Sequence, residues 1–137
     1  MKNIFLFTLF LSWISATGQE NSTSITVNIT NISNDEGKVV VSLHSEETFM
    51  KTSPVQNETA LIENGKATVN FENVEPGEYG IISFHDKNDN DRIDMAPTGM
   101  PTEDYGVSNN PMSFGPPQWT EAKFDIMDKP LELEIRY

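Results

Sequence analysis

Apolar residues that recur at every second position, separated by turn-forming residues, constrain this fold more than any other feature of the sequence. From Ile25 to Ile29 apolar and polar side chains alternate, and from Val39 to Leu43 apolar residues again occupy every second position, 39, 41 and 43. An extended chain places every second side chain on one face, so each stretch predicts a strand with one buried face. Further short strands are predicted at residues 60–62, 67–71, 80–84, 122–126 and 131–135. The pattern predicts an all-β fold, a single antiparallel β-sandwich of about seven strands with an immunoglobulin- or transthyretin-like arrangement.

Two dipeptides predict tight turns between these strands. Asn64-Gly65 lies between two apolar runs and predicts a hairpin, because both central residues of a type I′ turn adopt positive φ. Pro76-Gly77 predicts a second turn, in which proline presets its own φ and glycine permits the left-handed position. Both turns favour consecutive strands that return along one another.

Two connections are longer. Residues 46–57 are predicted to form a loop or a short helical turn that brings Phe49 and Met50 to the core. Residues 85–118 are predicted to form one long loop, far above the usual median of about 4–6 residues. A connection of this length in a small domain is normally functional, ordered by a ligand, or disordered.

The amino terminus has the pattern of a secretory signal peptide. Lys2 is followed by an apolar run and then by small residues that favour cleavage between Gly18 and Gln19. The run is shorter than the roughly 20 residues that span a bilayer, and no second apolar segment follows. Residues 1–18 are therefore predicted to be removed, leaving residues 19–137 as one secreted or periplasmic domain without a transmembrane segment.

The composition excludes some ways of stabilising the domain and argues against some classes of partner. The chain contains no cysteine, so it has neither a disulfide nor a cysteine-linked lipid anchor, and a metal ion is one of the few remaining ways to stabilise it. Of its 9 basic residues, Lys2 lies in the predicted signal, which leaves 8 basic against 21 acidic residues and a net charge of −13. This charge argues against nucleic acid and anionic membranes and favours cations.

Residues 86–94 resemble a calcium-binding loop in the order of their oxygen-bearing side chains. Asp86, Asn88, Asn90 and Asp94 match the first, third, fifth and ninth positions of an EF-hand-type loop, and Ile93 stands where such loops place an apolar anchor. Calcium takes six to eight oxygen ligands. The predicted ligands are the side chains of Asp86, Asn88, Asn90 and Asp94, the carbonyl of Arg92, and Glu103 or Asp104 folding back onto the loop.

The loop departs from a full EF-hand at its end. The position that normally carries a bidentate glutamate is Pro97. Two asparagines among the ligands also lower the ligand charge, so the expected affinity is that of extracellular modules, about 10⁻⁴–10⁻³ M. Asp89 and Asp91 are expected to point outward. The alternative interpretation is a solvated turn, since Asn and Asp favour turns without any metal.

Two resemblances to known families follow from longer motifs. The segment from Val74 to Tyr79 resembles the Pro-Gly-x-Tyr turn of transthyretin-like and carboxypeptidase-regulatory-like sandwiches. From about Ser24 to Tyr137 the chain resembles a family of secreted bacterial proteins known as domain-of-unknown-function family 2141. The shared segments are residues 82–86, the acidic loop, residues 100–101, residues 105–110, Pro117 and residues 122–124. This resemblance implies a single sandwich in or outside the cell envelope with no assigned activity, and the family loop normally has glycine where Asp91 stands.

The two histidines do not predict a zinc site, because no His or Cys partner lies at ligand spacing. His85 adjoins the acidic loop and is expected to be a packing or capping imidazole rather than a ligand or proton carrier. His44 alternates with apolar residues of its strand and is expected to face solvent.

Three functions are compatible with these features. The first is a non-enzymatic binding or envelope-interaction module with a calcium-ordered loop, whose protein, glycan or other envelope partner the sequence does not name. The second is a carbohydrate-binding module in which Tyr105 and Trp119 stack on sugar rings, although these rings and Phe114 also suit a cover over the end of the sandwich. The third and weakest is a hydrolase built on the carboxylates between Asp86 and Asp104, because no nucleophile motif accompanies them.

Overall fold

The computed structural model describes residues 21–137, so the predicted signal peptide, residues 1–18, lies outside the described residues. Within this range the chain forms eight strands and one short helix. They are β1 (Thr23–Thr30), β2 (Lys38–His44), β3 (Gln56–Ala60), β4 (Ala67–Val74), β5 (Gly77–Asp86), β6 (Tyr105–Val107), α1 (Trp119–Ala122), β7 (Phe124–Ile126) and β8 (Leu131–Arg136). No helix within residues 21–137 has both the length and the apolar character that crossing a membrane requires.

The strands form two packed sheets, which confirms the all-β sandwich. One sheet has the order β4-β1-β8, and the other has the order β3-β2-β5-β6, with β7 paired to the start of β5. The prediction of a purely antiparallel sandwich is wrong in one place, because β1 and β8 run parallel. The strand count also rises from seven to eight within residues 21–137, since β6 forms inside the predicted long loop. This strand forms because three residues of the loop pair with the exposed edge of β5.

The alternating residues of the sequence form the core between the sheets. Ile25, Val27 and Ile29 of β1 are fully buried, and so are the alternating residues of β2. They form one cluster with buried residues of the neighbouring strands: Val69, Phe71, Val74, Ile81, Ile126 and Ile135. Because burial removes these apolar surfaces from water, the period-two pattern sets which face of each strand points inward.

The Asn64-Gly65 turn is present and closes a short hairpin, in which Glu63 and Lys66 pair antiparallel through backbone hydrogen bonds of 2.9 and 3.1 Å, but the longer strands on either side do not pair with each other. Asn64 and Gly65 have φ of 52° and 72°, as a type I′ turn requires. The strand before the turn is β3 rather than residues 60–62, and β3 pairs with β2 in the other sheet from β4. The turn therefore connects the two sheets, and Leu61, 80 % exposed, lies outside the ladder.

In the second predicted turn, at Pro76-Gly77, the glycine does not adopt the left-handed conformation that the sequence predicted. Gly77 does not have positive φ, because it begins β5 and pairs in extended conformation with Ile126 of β7. Asn73 has the positive φ instead, at 55°, near the end of β4. The hydroxyl of Tyr79 donates a hydrogen bond of 2.8 Å to the carbonyl of Glu75, which ties the turn to the strand that follows it.

The connection after β2 covers one end of the sandwich. Phe49 is buried as predicted and packs edge-on against Trp119, with ring centroids 5.6 Å apart, whereas Met50 is exposed. His44 is buried, contrary to the expectation that it faces solvent, because the turn folds Phe49 over the end of β2. Burial lowers the pKa of His44, whose Nδ1 lies 3.2 Å from the hydroxyl of Thr48.

Candidate functional site

The acidic loop begins at Asp86, the last residue of β5. Asp86 is fully buried and pairs in the ladder with Lys38, the first residue of β2. The turn before β2 packs tightly against the start of the loop: a Cβ at Gly37 would lie 2.0 Å from the carbonyl oxygen of Asp86. Gly37, with φ of 68°, is therefore required both by its backbone conformation and by this close approach.

The carboxylate of Asp86 shapes the loop. One of its oxygens accepts the N–H of Asn90 at 3.1 Å, and the other accepts the N–H of Asp91 at 2.8 Å. Asp89 and Asp91 have positive φ, 57° and 61°, so the bend falls where EF-hand-type loops place glycine. Aspartate occupies this conformation at some cost in strain, and its short side chain tolerates it better than most.

Three predicted ligand side chains converge beyond this bend. The carboxylate of Asp94 accepts the amide Nδ2 of Asn88 at 2.6 Å and that of Asn90 at 2.8 Å. The Oδ1 atom of Asn90 also accepts the N–H of Arg92 at 3.0 Å. Asn88, Asn90 and Asp94, which alternate along the sequence, are thus joined directly to one another on one side of the loop.

Glu103 folds back onto the loop and Asp104 does not. The buried carboxylate of Glu103 accepts the N–H of Lys87 at 3.2 Å and the N–H of Asp94 at 3.1 Å, which joins both ends of the loop. The carbonyl of Asp104 accepts the N–H of His85 at 2.8 Å. Burial, with a contribution from the nearby carboxylate of Asp104, raises the pKa of Tyr137. Asp104 therefore belongs to the sandwich rather than to the loop.

Lys38 contacts the acidic residues that the sequence expectation placed in solvent. Its ammonium lies 2.7 Å from Asp89, 2.5 Å from Asp91 and 4.0 Å from Asp86. Carboxylate oxygens of these three aspartates lie within 4.8 Å of one another, the spacing of ligands around one cation. Hydrogen bonds to Asp89 and Asp91 raise the pKa of Lys38. Asp89 and Asp91 are exposed, as expected, but they also form ion pairs that the sequence did not predict, because β2 brings Lys38 to them.

The remaining loop residues have different surroundings. The side chain of Arg92 is exposed, and Ile93 is half-buried. Ile93 contacts an apolar groove on the outer face of the β2–β5–β6 sheet, not the core between the sheets. The loop is therefore anchored on the outside of the sandwich, which differs from the core anchor predicted for this position.

His85 lies beside the loop and inside the sandwich. It is fully buried, and its Nε2 donates a hydrogen bond of 2.6 Å to the carbonyl of Glu36 in the turn before β2. This bond connects the end of β5 to the turn that contains Gly37. His85 thus positions the start of the loop from within the sandwich.

A groove of about 450 Å³ lies next to the acidic loop. Its floor is Ser42 and His44 of β2, Ile82 and Phe84 of β5, and Tyr105 of β6, and its sides come from residues near the loop and from residues 114–117. Sequence reasoning missed this groove. The available signal was that Ile82 and Phe84 are apolar although they alternate with Ile81, the residue assigned to the core.

The aromatic residues singled out for sugar binding lie apart. Tyr105 lines the groove, whereas Trp119 is half-buried, packs on Phe49 and is not part of the groove lining. Trp119 thus covers the end of the core, and Phe114 is fully exposed at the groove. A flat platform formed by Tyr105 and Trp119 has no counterpart in this arrangement.

Comparison with known proteins places the chain beside bacterial proteins that have no assigned activity. The family model described as "Uncharacterized protein conserved in bacteria (DUF2141)" matches residues 27–134. This match covers the sandwich from β1 to β8, including the acidic loop and the groove. A search of the curated proteins finds no match.

Proposed function

The chain belongs to this family of uncharacterised bacterial proteins, and we propose that it is a secreted or periplasmic, non-enzymatic binding module whose acidic loop, residues 86–94, is ordered by a calcium ion. The signal-peptide pattern of residues 1–18 supports export. Calcium outside cells suits the modest affinity that this ligand set favours.

The observation that carries the proposal is the convergence of oxygen-bearing side chains around one bend. The side chains of Asn88, Asn90 and Asp94 meet one another, Asp86 accepts backbone N–H groups of the same bend, and the buried Glu103 joins both ends of the loop. Calcium prefers such carboxylate, amide and carbonyl oxygens at about 2.3–2.6 Å, in flexible geometries. A nine-residue bend of this kind brings together more oxygen ligands than a turn requires.

The charge around the bend supports a cation. Five carboxylates belong to the loop or fold onto it: Asp86, Asp89, Asp91, Asp94 and Glu103. Among the ion pairs of residues 21–137, Lys38 is the cation that contacts this group, and it contacts only the aspartates at 86, 89 and 91. Asp94 and Glu103 accept hydrogen bonds but have no ion pair, and one divalent cation would offset their mutual repulsion.

The two asparagines are suited to exchange their present partners for an ion. Each donates its Nδ2 to Asp94, so both amide groups lie within contact distance of this carboxylate. Rotation of an amide by about 180° about its last torsion replaces Nδ2 with Oδ1. The same two side chains would then supply oxygens to calcium alongside Asp94.

The ion would have a structural role. Asp86 and Glu103 are buried and already accept backbone N–H groups, so they hold the loop in shape and do not face a substrate. At a calcium concentration tenfold above Kd, the ion would stabilise the fold by about 1.4 kcal/mol. For a domain of this size that corresponds to a rise in Tm of roughly 5 °C.

The test is thermal unfolding in chelator and across a calcium titration, with Asp94→Asn as the loop variant and Asp128→Asn as the control. Asp128 is an exposed acid outside the loop. We expect calcium to raise the Tm of the wild type and of Asp128→Asn, and the rise to be lost in Asp94→Asn. An unchanged Tm at millimolar calcium, or an equal rise in all three proteins, would contradict the proposal.

A further inference from the structure

The outer face of the β2–β5–β6 sheet is apolar where a sheet exposed to water is normally polar. In β5 the usual arrangement is inverted. Ser83 and His85 point into the sandwich and are fully buried, whereas Ile82 and Phe84 point outward into the groove. Placing two polar residues inside and two apolar residues outside is unfavourable for a free sheet face. The free-energy cost of exposing these apolar side chains is removed if an apolar ligand or partner covers the outer face.

One side of the groove is built by a short hairpin, residues 94–102, which we call the wall segment. Met95 and Pro101 form an isolated bridge, and the N–H of Ala96 donates to the carbonyl of Met100 at 2.7 Å. The N–H of Thr102 donates to the carbonyl of Asp94 at 2.8 Å and closes the base. The wall segment is thus an ordered structure that holds Met95 and Met100 against the groove.

Exposed apolar side chains are concentrated here. Five of the nine exposed large apolar residues in the described chain line the groove: Met50, Met95, Met100, Tyr105 and Phe114. A monomeric soluble protein seldom gathers such residues into one patch without a ligand or partner to cover them. Methionine is also the side chain that best adapts to the shape of an apolar ligand, because it is unbranched and polarizable.

The groove is uncharged within a strongly acidic protein. None of its lining residues is Asp, Glu, Lys or Arg, although the chain contains 21 acidic residues. Two of its three polar side chains are already engaged, since the Ser42 hydroxyl donates to Asn57 at 2.6 Å and the His44 ring lies 3.2 Å from Thr48; the third is Tyr105, whose hydroxyl is uncharged. A charged group entering this groove would lose its hydration without gaining an ion pair.

From these observations we propose that the groove is a binding site for an uncharged apolar small molecule. Its volume, about 450 Å³, lies within the roughly 300–1,000 Å³ of small-molecule sites. The negative charge of the protein disfavours an anionic amphiphile such as a fatty acid, and the neutral lining offers no partner to a cation. The proposal does not depend on calcium, although the wall segment begins at Asp94 and ends next to Glu103.

The probe for the test is N-phenyl-1-naphthylamine, an uncharged aromatic dye that fluoresces in apolar surroundings. The variant is Met100→Glu, which places a charge on the wall segment, and the control is Met127→Glu. These methionines are 66 % and 72 % exposed, and Met127 does not line the groove, so neither change disturbs the core. Met95→Glu provides a second groove variant if Met100→Glu unfolds.

We expect saturable binding at one site, weakened about tenfold or more by Met100→Glu and unchanged by Met127→Glu. Decanol should displace the dye, and decanoate should do so much less. Equal displacement by decanoate, or an equal effect of both methionine variants, would overturn the proposal. A dimer in sedimentation that Met100→Glu dissociates would also overturn it, because a second copy of the chain would then cover the groove.

Repeating the dye titration in chelator tests binding in the groove independently of the proposed calcium site. Dye binding that persists in chelator supports the groove even if calcium leaves the Tm unchanged. If the wild type binds no dye in either calcium or chelator, while calcium still raises its Tm, the proposal for the groove is overturned and the proposal for the calcium site is not.

Discussion

Two bends in this protein are held in the same way, by a carboxylate that accepts two consecutive backbone N–H groups. They differ in the charges around that carboxylate. At the Asn64-Gly65 turn, the carboxylate of Asp35 accepts both backbone N–H groups, at 3.0 and 2.9 Å. At the acidic loop, the carboxylate of Asp86 accepts two consecutive N–H groups in the same way, at 3.1 and 2.8 Å. Both bends also require positive φ at two residues.

The two bends differ in the charge that surrounds the bonded carboxylate. Glycine provides one of the left-handed positions of the turn, and the exposed Asp35 keeps access to water. In the loop, Asp86 is fully buried, aspartates occupy both left-handed positions, and Asp94 and Glu103 add negative charge without an ion pair to any residue of 21–137. Backbone donors and water satisfy the single carboxylate of the turn, whereas in the loop Lys38 compensates three of five carboxylates and the proposed calcium ion would compensate the other two.

The largest expected effect comes from two glycines: Gly37, which packs against the start of the acidic loop, and Gly65 in the Asn64-Gly65 turn. Gly37→Ala should destabilise the protein by about 3 kcal/mol or more, because the added Cβ would lie 2.0 Å from the backbone oxygen of Asp86. Gly65→Ala should cost about 1 kcal/mol, since its Cβ would lie 3.0 Å from the oxygen of Ile32 and the strain comes mainly from positive φ. Denaturant unfolding measures both. Equal losses would show that the packing between Gly37 and Asp86 is not tighter than that at the turn.

The next comparison removes the two carboxylates. Asp86→Ala should cost about 3 kcal/mol, because two partly buried N–H groups lose their acceptor and Lys38 loses part of its charge compensation. Asp35→Ala should cost about 1 kcal/mol, since water can replace an exposed acceptor. Unfolding by denaturant in chelator measures the difference. A larger loss for Asp35→Ala would contradict the view that the loop depends more on its carboxylate than the turn does.

The smallest effect concerns the ammonium that distinguishes the loop from the turn. Hydrogen bonds to Asp89 and Asp91 raise the pKa of Lys38 above its ordinary value of 10.5. Its stabilising contribution is therefore complete below about pH 10.5 and is lost as pH rises through the folded-state pKa. The Tm difference between the wild type and Lys38→Met should shrink above this pH. Asp35→Ala should show no such change relative to the wild type, because no lysine contacts Asp35 within the described chain.

Several features could be predicted from sequence because they depend on local pattern. The buried faces of β1 and β2 follow from alternation, and the left-handed residues of the Asn64-Gly65 turn follow from residue type. The order of oxygens from Asp86 to Asp94 also predicted which side chains come together. Their function as calcium ligands remains a prediction.

Other features could not be predicted from the sequence, because they depend on contacts between residues that are distant along the chain. The burial of His44 depends on Phe49 folding over it, and the contact of Asp89 and Asp91 with a cation depends on Lys38 in a neighbouring strand. The conformation of Gly77 depends on pairing with β7, about fifty residues later, and not on the proline before it.

By itself, the sequence determined the all-β class, the core faces of the principal strands, the acidic surface and the order of candidate ligands. These follow from side-chain periodicity, charge and local turn chemistry, which act within a few residues. Only the tertiary structure decided the parallel pairing of β1 with β8, the choice of Glu103 over Asp104, and the apolar groove behind Ile82 and Phe84. Each of these depends on which strand edges and loops meet across the fold, and a linear pattern carries no such information.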